Sequence, residues 1–336
     1  MPPPTAKPKV SLIIRSAVMG GVTTGLHALT RSRLAEKYEF AIVPPAAAWR
    51  QARSGEPHVF VFEDSCAWRH LPEFAAFKLG KGRGKTVLHE LHYSEHFIRC
   101  RVPSPARFYA MLRLSYSLVD RVVTISQGQA DWLLRHKLVP PEKLELNVLA
   151  SHLPPLFALP PKPPSRPLTL AAFGRFHPQK GFDVMLDAMR LLPRGKVRLL
   201  IAGAGPDEAA LRTQSAGLDD VEFVGARSDI AGFLSGCDAV LIPSRWEPLG
   251  LVCQEAKAAG KPVISSRVDG LTEQVDGCGL LVEPEKPEQL AAAITQLSEL
   301  PDATLQAWGA RGRETVVDAL ENSLCAWDKL FTELMR

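Results

Sequence analysis

The chain has 336 residues, of which 46% are apolar and 23% are charged. These fractions are close to those of soluble globular proteins and exclude a largely disordered chain, and the length predicts two domains. The net charge is +4, but it is unevenly distributed. Residues 1–165 hold 22 Lys and Arg against 12 Asp and Glu, whereas residues 166–336 hold 18 against 24. This asymmetry supports two domains with different partners.

The sequence carries no marks of secretion or membrane insertion. Its six cysteines form no CxxC pair, which is typical of buried thiols in a reducing compartment. The first residues, MPPPTAKP, lack the apolar core of a signal peptide. No stretch approaches the roughly 20 apolar residues that a spanning helix needs. We therefore expect a cytoplasmic protein.

Short apolar runs alternate with helical stretches through the first half. Residues 9–14, KVSLII, predict a buried strand, and a small-residue stretch with Gly20 and Gly21 follows it. Helices are predicted over residues 27–36 and 106–119. Further strands are predicted at residues 40–43, 59–62, 86–88 and 121–125. This alternation favours a parallel sheet with helices on both faces.

The second half repeats the same rhythm after a proline-rich segment, residues 154–167. Because proline lacks an N–H donor and has a fixed φ, we expect no regular element there, only a semi-rigid interdomain linker. Strands are predicted at residues 168–173, 197–202, 221–224, 239–242 and 263–266, with helices between them. Two such α/β halves predict two Rossmann-like domains with a ligand-binding cleft at the carboxyl ends of their strands.

The strongest motif is residues 244–260, SRWEPLGLVCQEAKAAG, which follows a predicted strand. Glu247 is expected on the loop above the sheet, and Glu255 about one turn into the helix that begins near Gly250. A helix N-terminus favours anions, and a glycine there lets a phosphate approach the backbone. A carboxylate accepts two hydrogen bonds, which suits a ribose diol.

A second motif, FGRFHPQKG, spans residues 173–181 and also follows a predicted strand. Gly174 turns the chain, and Arg175 and Lys180 are expected at the mouth of the same sheet. Two cations at this edge suit a diphosphate and would stabilise charge on a departing nucleotide. Gly203, in the sequence GAGP, follows the next predicted strand. Glu208 occupies the place of the third glycine of a dinucleotide fingerprint, so this loop is a weak hydride-cofactor signal.

Together, FGR…KG, GAGP, FVG…D and PS-x-x-EPLGLV-x-x-EA-x-x-x-G-KPV resemble glycosyltransferase family 4. The resemblance covers residues 168–285 well and the first half more loosely. It implies an α/β GT-B fold with two Rossmann-like domains facing each other across a cleft, and a retaining reaction. The implied division is an acceptor-side domain at residues 1–155, a linker at 156–167, a donor domain at 168–309, and helices at 310–336 that pack back toward the first domain.

The resemblance also implies roles for individual residues. Arg175 and Lys180 would bind the donor diphosphate, Glu255 the ribose, and Glu247 the donor sugar. The resemblance also implies that the backbone of several residues, in the two loops and the first glycine-rich turn, lies near the sugar and phosphates of the donor. These are Gly20, Gly21, Gly174, Gly203, Leu249, Gly250 and Leu251. The family needs no metal, which agrees with the lack of a DxD motif, so no cofactor is expected beside the substrate, a UDP- or GDP-linked sugar.

Two further features of the first half bear on function. His89 and His92 follow a predicted strand, and such enzymes often carry a histidine there that contacts the donor sugar. His89 is preferred, and neither is assigned as a general base. A basic run continues the positive charge of this half and suits anionic lipid or a phosphorylated glycolipid. The run comprises Lys78, Lys81, Arg83, Lys85, Arg99, Arg101, Arg107 and Arg113. Without a nucleic-acid-binding motif, no nucleic-acid partner is expected.

The sequence therefore predicts a transferase that moves a sugar from a nucleotide sugar to a glycan or glycolipid, in lipopolysaccharide, capsule or other cell-surface polysaccharide synthesis. Such an enzyme would be cytoplasmic, with possible peripheral contact at the inner face of the membrane. Two alternatives stay open, a nucleotide-sugar epimerase on the same fold and a non-catalytic nucleotide-sugar-binding module.

Overall fold

The computed structural model describes residues 7–15, 28–54, 56–150 and 153–336. Contacts between residues divide the chain into two compact units. The first comprises the chain up to His152 together with Ala319–Arg336, and the second comprises Leu153–Asp318. Within the described ranges, no helix has both the length and the apolar character needed to cross a bilayer.

The first unit is built on a six-stranded parallel sheet. Its strands are β1 (Lys9–Ile13), β2 (Glu39–Val43), β3 (His58–Phe62), β4 (Lys85–Glu90), β5 (Arg121–Thr124) and β6 (Leu144–Leu146). Their spatial order is β2-β1-β3-β4-β5-β6, and all paired neighbours are parallel. The inner strands are buried on both faces, as in other sheets that helices cover on both sides.

Helices cover both faces of this first sheet. They are α1 (Leu34–Lys37), α2 (Pro45–Ala52), α3 (Leu71–Gly80), α4 (Glu95–Arg101), α5 (Pro105–Ser117), α6 (Gln127–Arg135) and, from the chain end, α14 (Ala319–Leu334). On one face Phe60 and Phe62 pack with Trp132. On the other, Trp327 and Phe331 of α14 pack in one cluster with strand residues. The last helix therefore completes the core of the first unit.

The second unit also contains a six-stranded parallel sheet. Its strands are β7 (Leu168–Arg175), β8 (Val197–Ala204), β9 (Val221–Gly225), β10 (Ala239–Ile242), β11 (Val263–Ser266) and β12 (Gly279–Val282). The order β12-β11-β10-β7-β8-β9 is the doubly wound Rossmann arrangement. Its first and fourth strands, β7 and β10, are neighbours. The strand order reverses between them, and ligands of such sheets bind outside the carboxyl ends at this point.

The helices of the second unit enclose its core. They are α7 (Pro154–Phe157), α8 (Phe182–Arg190), α9 (Glu208–Gln214), α10 (Ile230–Ser235), α11 (Leu251–Ala258), α12 (Pro287–Glu299) and α13 (Asp302–Glu314). One cluster joins α8, including Met185 and Leu186, to Ile294 and Leu297 of α12 and to the strands between them. This packing fixes where α8 begins, and with it the loop that precedes α8.

Several sequence-based predictions need correction. The proline-rich segment is not without regular structure, because Pro154–Phe157 forms a short helix, with proline in the first turn where its missing N–H is tolerated. The expected helix at 27–36 does not run continuously through its described part, since turn residues separate positions 28–30 from α1. The short edge strands β6 and β12 were not predicted, since edge strands bury little and show a weak pattern.

The division of the chain also differs from the predicted boundaries. The first break falls after His152 rather than after residue 155, and the proline-rich segment belongs to the second unit. The chain returns to the first unit at Ala319 rather than at residue 310. Helix α13 stays with the second unit because its Gly309 lies against the backbone of Gly260, where an added Cβ would stand 2.1 Å from the Gly260 carbonyl oxygen.

Candidate functional site

Two loops meet at the carboxyl end of the second sheet, where the strand order reverses. The first follows β7 and leads through a 3₁₀ turn, Pro178–Lys180, to α8. The second follows β10 and leads to α11 at Gly250. Gly181, with φ +64°, lets the loops touch, because an added Cβ would stand 2.0 Å from the Pro243 carbonyl oxygen. The strand order of the sheet thus brings the motifs at residues 173–181 and 244–260 together at its carboxyl edge.

The centre of this site is an ion pair between the two loops. Lys180 Nζ lies 2.5 Å from Glu247 Oε2, and both side chains are largely shielded from water. Glu247 is held in turn by its backbone N–H, which donates to Asp269 Oδ2 at 3.0 Å. A lysine ammonium has three donors, so Lys180 can bind Glu247 and a phosphate oxygen together.

The start of α11 presents backbone N–H groups at the same edge. Gly250, at the N-cap, has φ +96°, and an added Cβ would stand 2.4 Å from Leu271 Cδ2. A side chain there would be strained by the left-handed backbone and by this contact. The N–H groups of Leu251 and Val252 precede the first bond of this turn, in which the Cys253 N–H donates to the Gly250 carbonyl oxygen at 2.9 Å, and they lie at the positive end of the helix dipole. This end of α11 therefore favours an anion.

Glu255 lies in the second turn of α11, as predicted. Burial raises the pKa of its carboxyl group to about 7, and the nearby positive charge of Lys180 offsets part of this effect. A half-buried acid of this kind gains most when a ligand supplies hydrogen-bond donors, since these favour its charged form. Glu255 therefore lies near enough to Lys180 to feel its charge.

Arg175 lies at the end of β7 and is exposed. With Gly203 and the exposed Arg227 it lines a cavity of about 240 Å³ between the ends of β7 and β8. These strands approach closely because Gly203 has φ +154°, where a Cβ would stand 2.0 Å from the Gly174 carbonyl oxygen. The lysine stem also runs past Gly174, whose added Cβ would be 3.7 Å from Lys180 Cε. The cations predicted from the FGR…KG motif therefore lie on adjoining parts of one edge.

An arginine of the second loop, which the sequence analysis did not single out, fastens the two loops together. Arg245 donates to both carboxylate oxygens of Asp183 at 2.9 and 2.6 Å and to Glu285 at 2.8 Å. It also donates to the carbonyl oxygen of Pro178, two residues before Lys180, at 2.8 Å. Burial opposes ionisation of Asp183, but the hydrogen bonds from Arg245 outweigh it and lower its pKa. The position of Arg245 within the motif SRWEPLG is the sequence feature that could have indicated its role.

The first unit places a buried acid–base pair at the carboxyl ends of β3 and β4. His89 Nδ1 lies 2.8 Å from Glu63 Oε2, and both side chains are almost fully buried. The ring of Trp327, from α14, contacts His89 edge-on with centroids 5.1 Å apart. His92, the other candidate, is less buried and lies with Nε2 3.1 Å from the Glu63 carbonyl oxygen. Glu63 was not predicted, and the sugar contact of His89 stays a prediction.

Two other predictions, on the first glycine-rich turn and on the absence of a metal, are not tested by the described residues. Gly20 and Gly21 lie outside them. The described residues contain no group of three His, Cys, Asp or Glu side chains placed to hold a metal ion. The expectation of a metal-free site stays a prediction.

Comparison with known proteins identifies the second unit. Residues 167–299 match the family model described as glycosyl transferases group 1. The lipopolysaccharide core biosynthesis glycosyltransferase LpsD of Rhizobium meliloti is 36% identical over 186 residues, which is 52% of this chain and 53% of LpsD. A GDP-mannose-dependent phosphatidylinositol dimannoside mannosyltransferase of Mycobacterium tuberculosis is 33% identical over 139 residues, 40% of this chain and 36% of that protein. The matched region thus spans about half or less of these relatives.

Solved structures extend the likeness to the whole chain. The crystal structure of Anabaena HepE in complex with UDP and glucose superposes with a TM-score of 0.75 at 17% identity, covering 96% of this chain and 99% of that one. At this identity the match shows the fold. Residues 167–299 therefore form a glycosyl transferases group 1 domain, and the chain has the α/β GT-B fold of these enzymes, which confirms the predicted family and fold class.

Proposed function

We propose that this chain is a retaining glycosyltransferase that moves a sugar from a UDP- or GDP-linked donor to a glycan or glycolipid acceptor. The observation that carries the proposal is the meeting of Lys180, Glu247 and the start of α11 where the strand order of the second sheet reverses. Cations and a helix N-terminus suit a diphosphate, and Glu255 in the same site suits the ribose.

In the proposed reaction these residues act mainly by electrostatics. Arg175 and Lys180 bind the diphosphate and stabilise the negative charge that grows on it as the bond to the sugar breaks. Glu247 holds the donor sugar through a hydroxyl while remaining paired with Lys180. The terminal phosphate of the departing UDP or GDP accepts the proton of the acceptor hydroxyl, so the mechanism requires no separate protein base. The cations and the helix dipole also take the place that a metal ion has in other transferases.

The relatives support the class of substrate. LpsD is named for lipopolysaccharide core biosynthesis, the mycobacterial relative for GDP-mannose and phosphatidylinositol dimannoside, and HepE was crystallised with UDP. These names favour a nucleotide-sugar donor and an acceptor of the cell surface. We place the present chain in lipopolysaccharide or related polysaccharide synthesis at the cytoplasmic side of the membrane.

A nucleotide-release assay tests this function against the two alternatives. The purified chain is incubated without acceptor and with UDP-, GDP- and ADP-sugars chosen by thermal shift, since a bound ligand raises apparent stability. A transferase releases free nucleotide slowly through transfer to water. Isomerisation of the sugar would instead indicate the epimerase, and neither reaction despite a thermal shift would indicate a binding module.

The first unit has a surface that suits an anionic membrane. Trp68, Leu79 and Leu114 expose 45%, 89% and 45% of their surface. They lie among exposed cations such as Lys78 and Arg107, and the Arg107 guanidinium stacks 5.9 Å from the Trp68 ring. Exposed apolar side chains within a basic surface favour peripheral binding, with about 1 kcal/mol per cation near anionic lipid. We propose that this surface receives a membrane-borne acceptor.

Vesicle co-sedimentation tests the membrane contact. Phosphatidylglycerol vesicles should retain the chain at low salt and release it at high salt, whereas phosphatidylcholine vesicles should not bind it. The double variant Leu79→Ser and Arg107→Ser should weaken binding several-fold. A matched change in the second unit, Leu191→Ser with Arg194→Ser, also removes exposed residues and should leave binding unchanged. Equal loss in both pairs would contradict a role for this surface.

A further inference from the structure

A second cavity, of about 410 Å³, lies at the opposite edge of the second sheet from Lys180 and Glu247. Its wall includes Asp238 and Lys261, which stand just before β10 and β11. Because neighbouring strands are parallel, their amino ends share one edge of the sheet, away from the carboxyl ends that hold the donor site. The volume falls within the range of small-molecule sites, roughly 300–1,000 Å³. The cavity is therefore separate from the candidate donor site.

Most of the cavity wall is apolar. Pro160, Pro161 and Pro164 of the proline-rich segment form one side, and Leu305 of α13 with Val317 contributes to the other. Proline and packed aliphatic side chains offer a preformed apolar surface at little entropic cost. Such a wall suits the apolar body of a small molecule.

The charges on the wall do not balance. Lys162 Nζ lies 3.6 Å from Asp238 Oδ1, and this pair cancels within the cavity. Lys261 Nζ donates to the Cys237 carbonyl oxygen at 2.7 Å and Arg313 Nη2 to a carbonyl of the proline-rich segment at 3.0 Å. Neither Lys261 nor Arg313 has a carboxylate partner within the described ranges, and the other acid on the wall, Glu314, is exposed.

Among the described residues, one donor on the wall lacks an acceptor, and burial disfavours the charge of another. The Nε–H of Arg313 is buried and has no hydrogen-bond acceptor in the part of the chain that the structure describes. Burial lowers the pKa of Lys261, and the positive charge of Lys162 adds to the effect. A guanidinium carries five N–H donors and an ammonium three, so an anion in the cavity would add acceptors for the remaining donors of Arg313 and Lys261.

We propose that this cavity binds a small organic anion, whose acidic group meets Lys261 and Arg313 and whose apolar body packs against the prolines and Leu305. The inference does not depend on the proposed transferase activity, because it uses residues at the other edge of the sheet.

Calorimetry with hexyl phosphate as the probe tests this site on the full chain. Hexyl phosphate carries both an acidic group and an apolar body, whereas inorganic phosphate and hexanol carry one each. We expect hexyl phosphate to bind at least tenfold more tightly than either. Arg313→Met should weaken binding at least tenfold by removing a charge-assisted hydrogen bond. Ala310→Trp, at an exposed helix position on the wall, should block the cavity without disturbing the fold.

Two control variants separate the cavity from other sites. Arg311→Met removes a charge from the neighbouring exposed position of α13, which is not on the cavity wall, and should leave binding unchanged. Lys180→Met should also leave it unchanged, because it alters only the donor site. Absence of binding, equal binding of inorganic phosphate or hexanol, binding that survives Ala310→Trp, or loss of binding in Lys180→Met would each overturn the proposal.

Discussion

The two units share an architecture but differ in what their sheets present at the carboxyl edge. In the second unit, Lys180 and Glu247 pair beside the N-terminus of α11, where Gly250 has no side chain. In the described part of the first unit, Glu63 and His89 pair in the same kind of position, but both side chains are almost fully buried and the ring of Trp327 packs edge-on against His89. Both parallel sheets thus place polar side chains at the carboxyl ends of their strands, and the surrounding residues determine whether this edge can bind an anion.

If the second unit binds the donor, Lys180 should be essential for nucleotide release. Lys180→Ala should lower the rate of nucleotide release by about 10²–10³, the effect of losing one preorganised group that stabilises developing charge. It should also cost about 1–3 kcal/mol of stability, because Glu247 is left without its partner. The release assay and thermal unfolding measure the two effects.

A double variant separates these effects. Lys180→Ala with Glu247→Ala removes the unpaired acid, so stability should recover, while nucleotide release stays low because the diphosphate and sugar contacts are both lost. Recovery of release together with stability would show that Lys180 acts only through folding, and would remove the contrast between the two units.

Glu255 should contribute to donor affinity rather than to the chemical step. Glu255→Ala should weaken nucleotide-sugar binding by about tenfold, since a ribose hydroxyl loses a charged acceptor. Calorimetry measures the affinity, and Glu208→Ala, at a partly exposed acid on α9 of the same unit, is the control. Unchanged affinity in Glu255→Ala would assign the ribose to another residue.

The two-loop clamp should have a smaller effect. Arg245→Lys keeps the charge but loses the paired hydrogen bonds to Asp183, so Lys180 is held less firmly and donor affinity should fall about threefold to tenfold. The measurement is made well below the melting temperature, where lost stability does not reduce the folded fraction. Arg267→Lys, at an exposed ion pair with Glu283, should change nothing. Equal effects of the two variants would argue against positioning by Arg245.

The raised pKa of Glu255 predicts a pH-dependent stability. The folded protein holds this proton up to about pH 7, whereas an unfolded glutamate loses it near 4.3, so ionisation lowers stability as pH rises through this window. Glu255→Gln should therefore gain stability relative to the parent at pH 8, by at most about 4 kcal/mol, because the two pKa values differ by about 2.7 and each pKa unit is worth 1.36 kcal/mol. Urea unfolding at pH 5 and pH 8 measures the difference. A constant difference between the two pH values would contradict the buried-acid account.

The smallest effect is expected in the first unit. Glu63→Gln alters the buried pair with His89 and should cost stability, but the affinity for free UDP or GDP should change less than twofold, since the proposed nucleotide contacts lie in the second unit. Calorimetry with the free nucleotide measures this. A large loss of affinity would show that the first unit takes part in nucleotide binding and would weaken the comparison.

The sequence predicted the site better than the boundaries of the units. Strand ends and glycine positions placed Lys180, Glu247 and Glu255 on loops and a helix at one edge, because parallel strands fix that geometry. It could not show that Lys180 pairs with Glu247, or that Arg245 joins the loops, since those contacts link residues more than 60 positions apart.

The return of the chain to the first unit was misplaced for a related reason. Helices α13 and α14 are both amphipathic, so their patterns do not tell which core each one joins. Gly309 against Gly260 decides the first case, and Trp327 packing in the first unit decides the second. Such choices depend on surfaces formed only after folding.

Binding of the diphosphate by the second unit is tested most directly by comparing the affinities of a nucleoside diphosphate and of its nucleoside. The ligand is UDP or GDP, whichever stabilises the chain more, against uridine or guanosine, by calorimetry. The parent should bind the diphosphate at least about 100-fold more tightly, as two charge-assisted contacts allow. In Arg175→Met with Lys180→Met, this ratio should fall to about threefold. A ratio that stays near its parent value in the folded double variant would contradict the account.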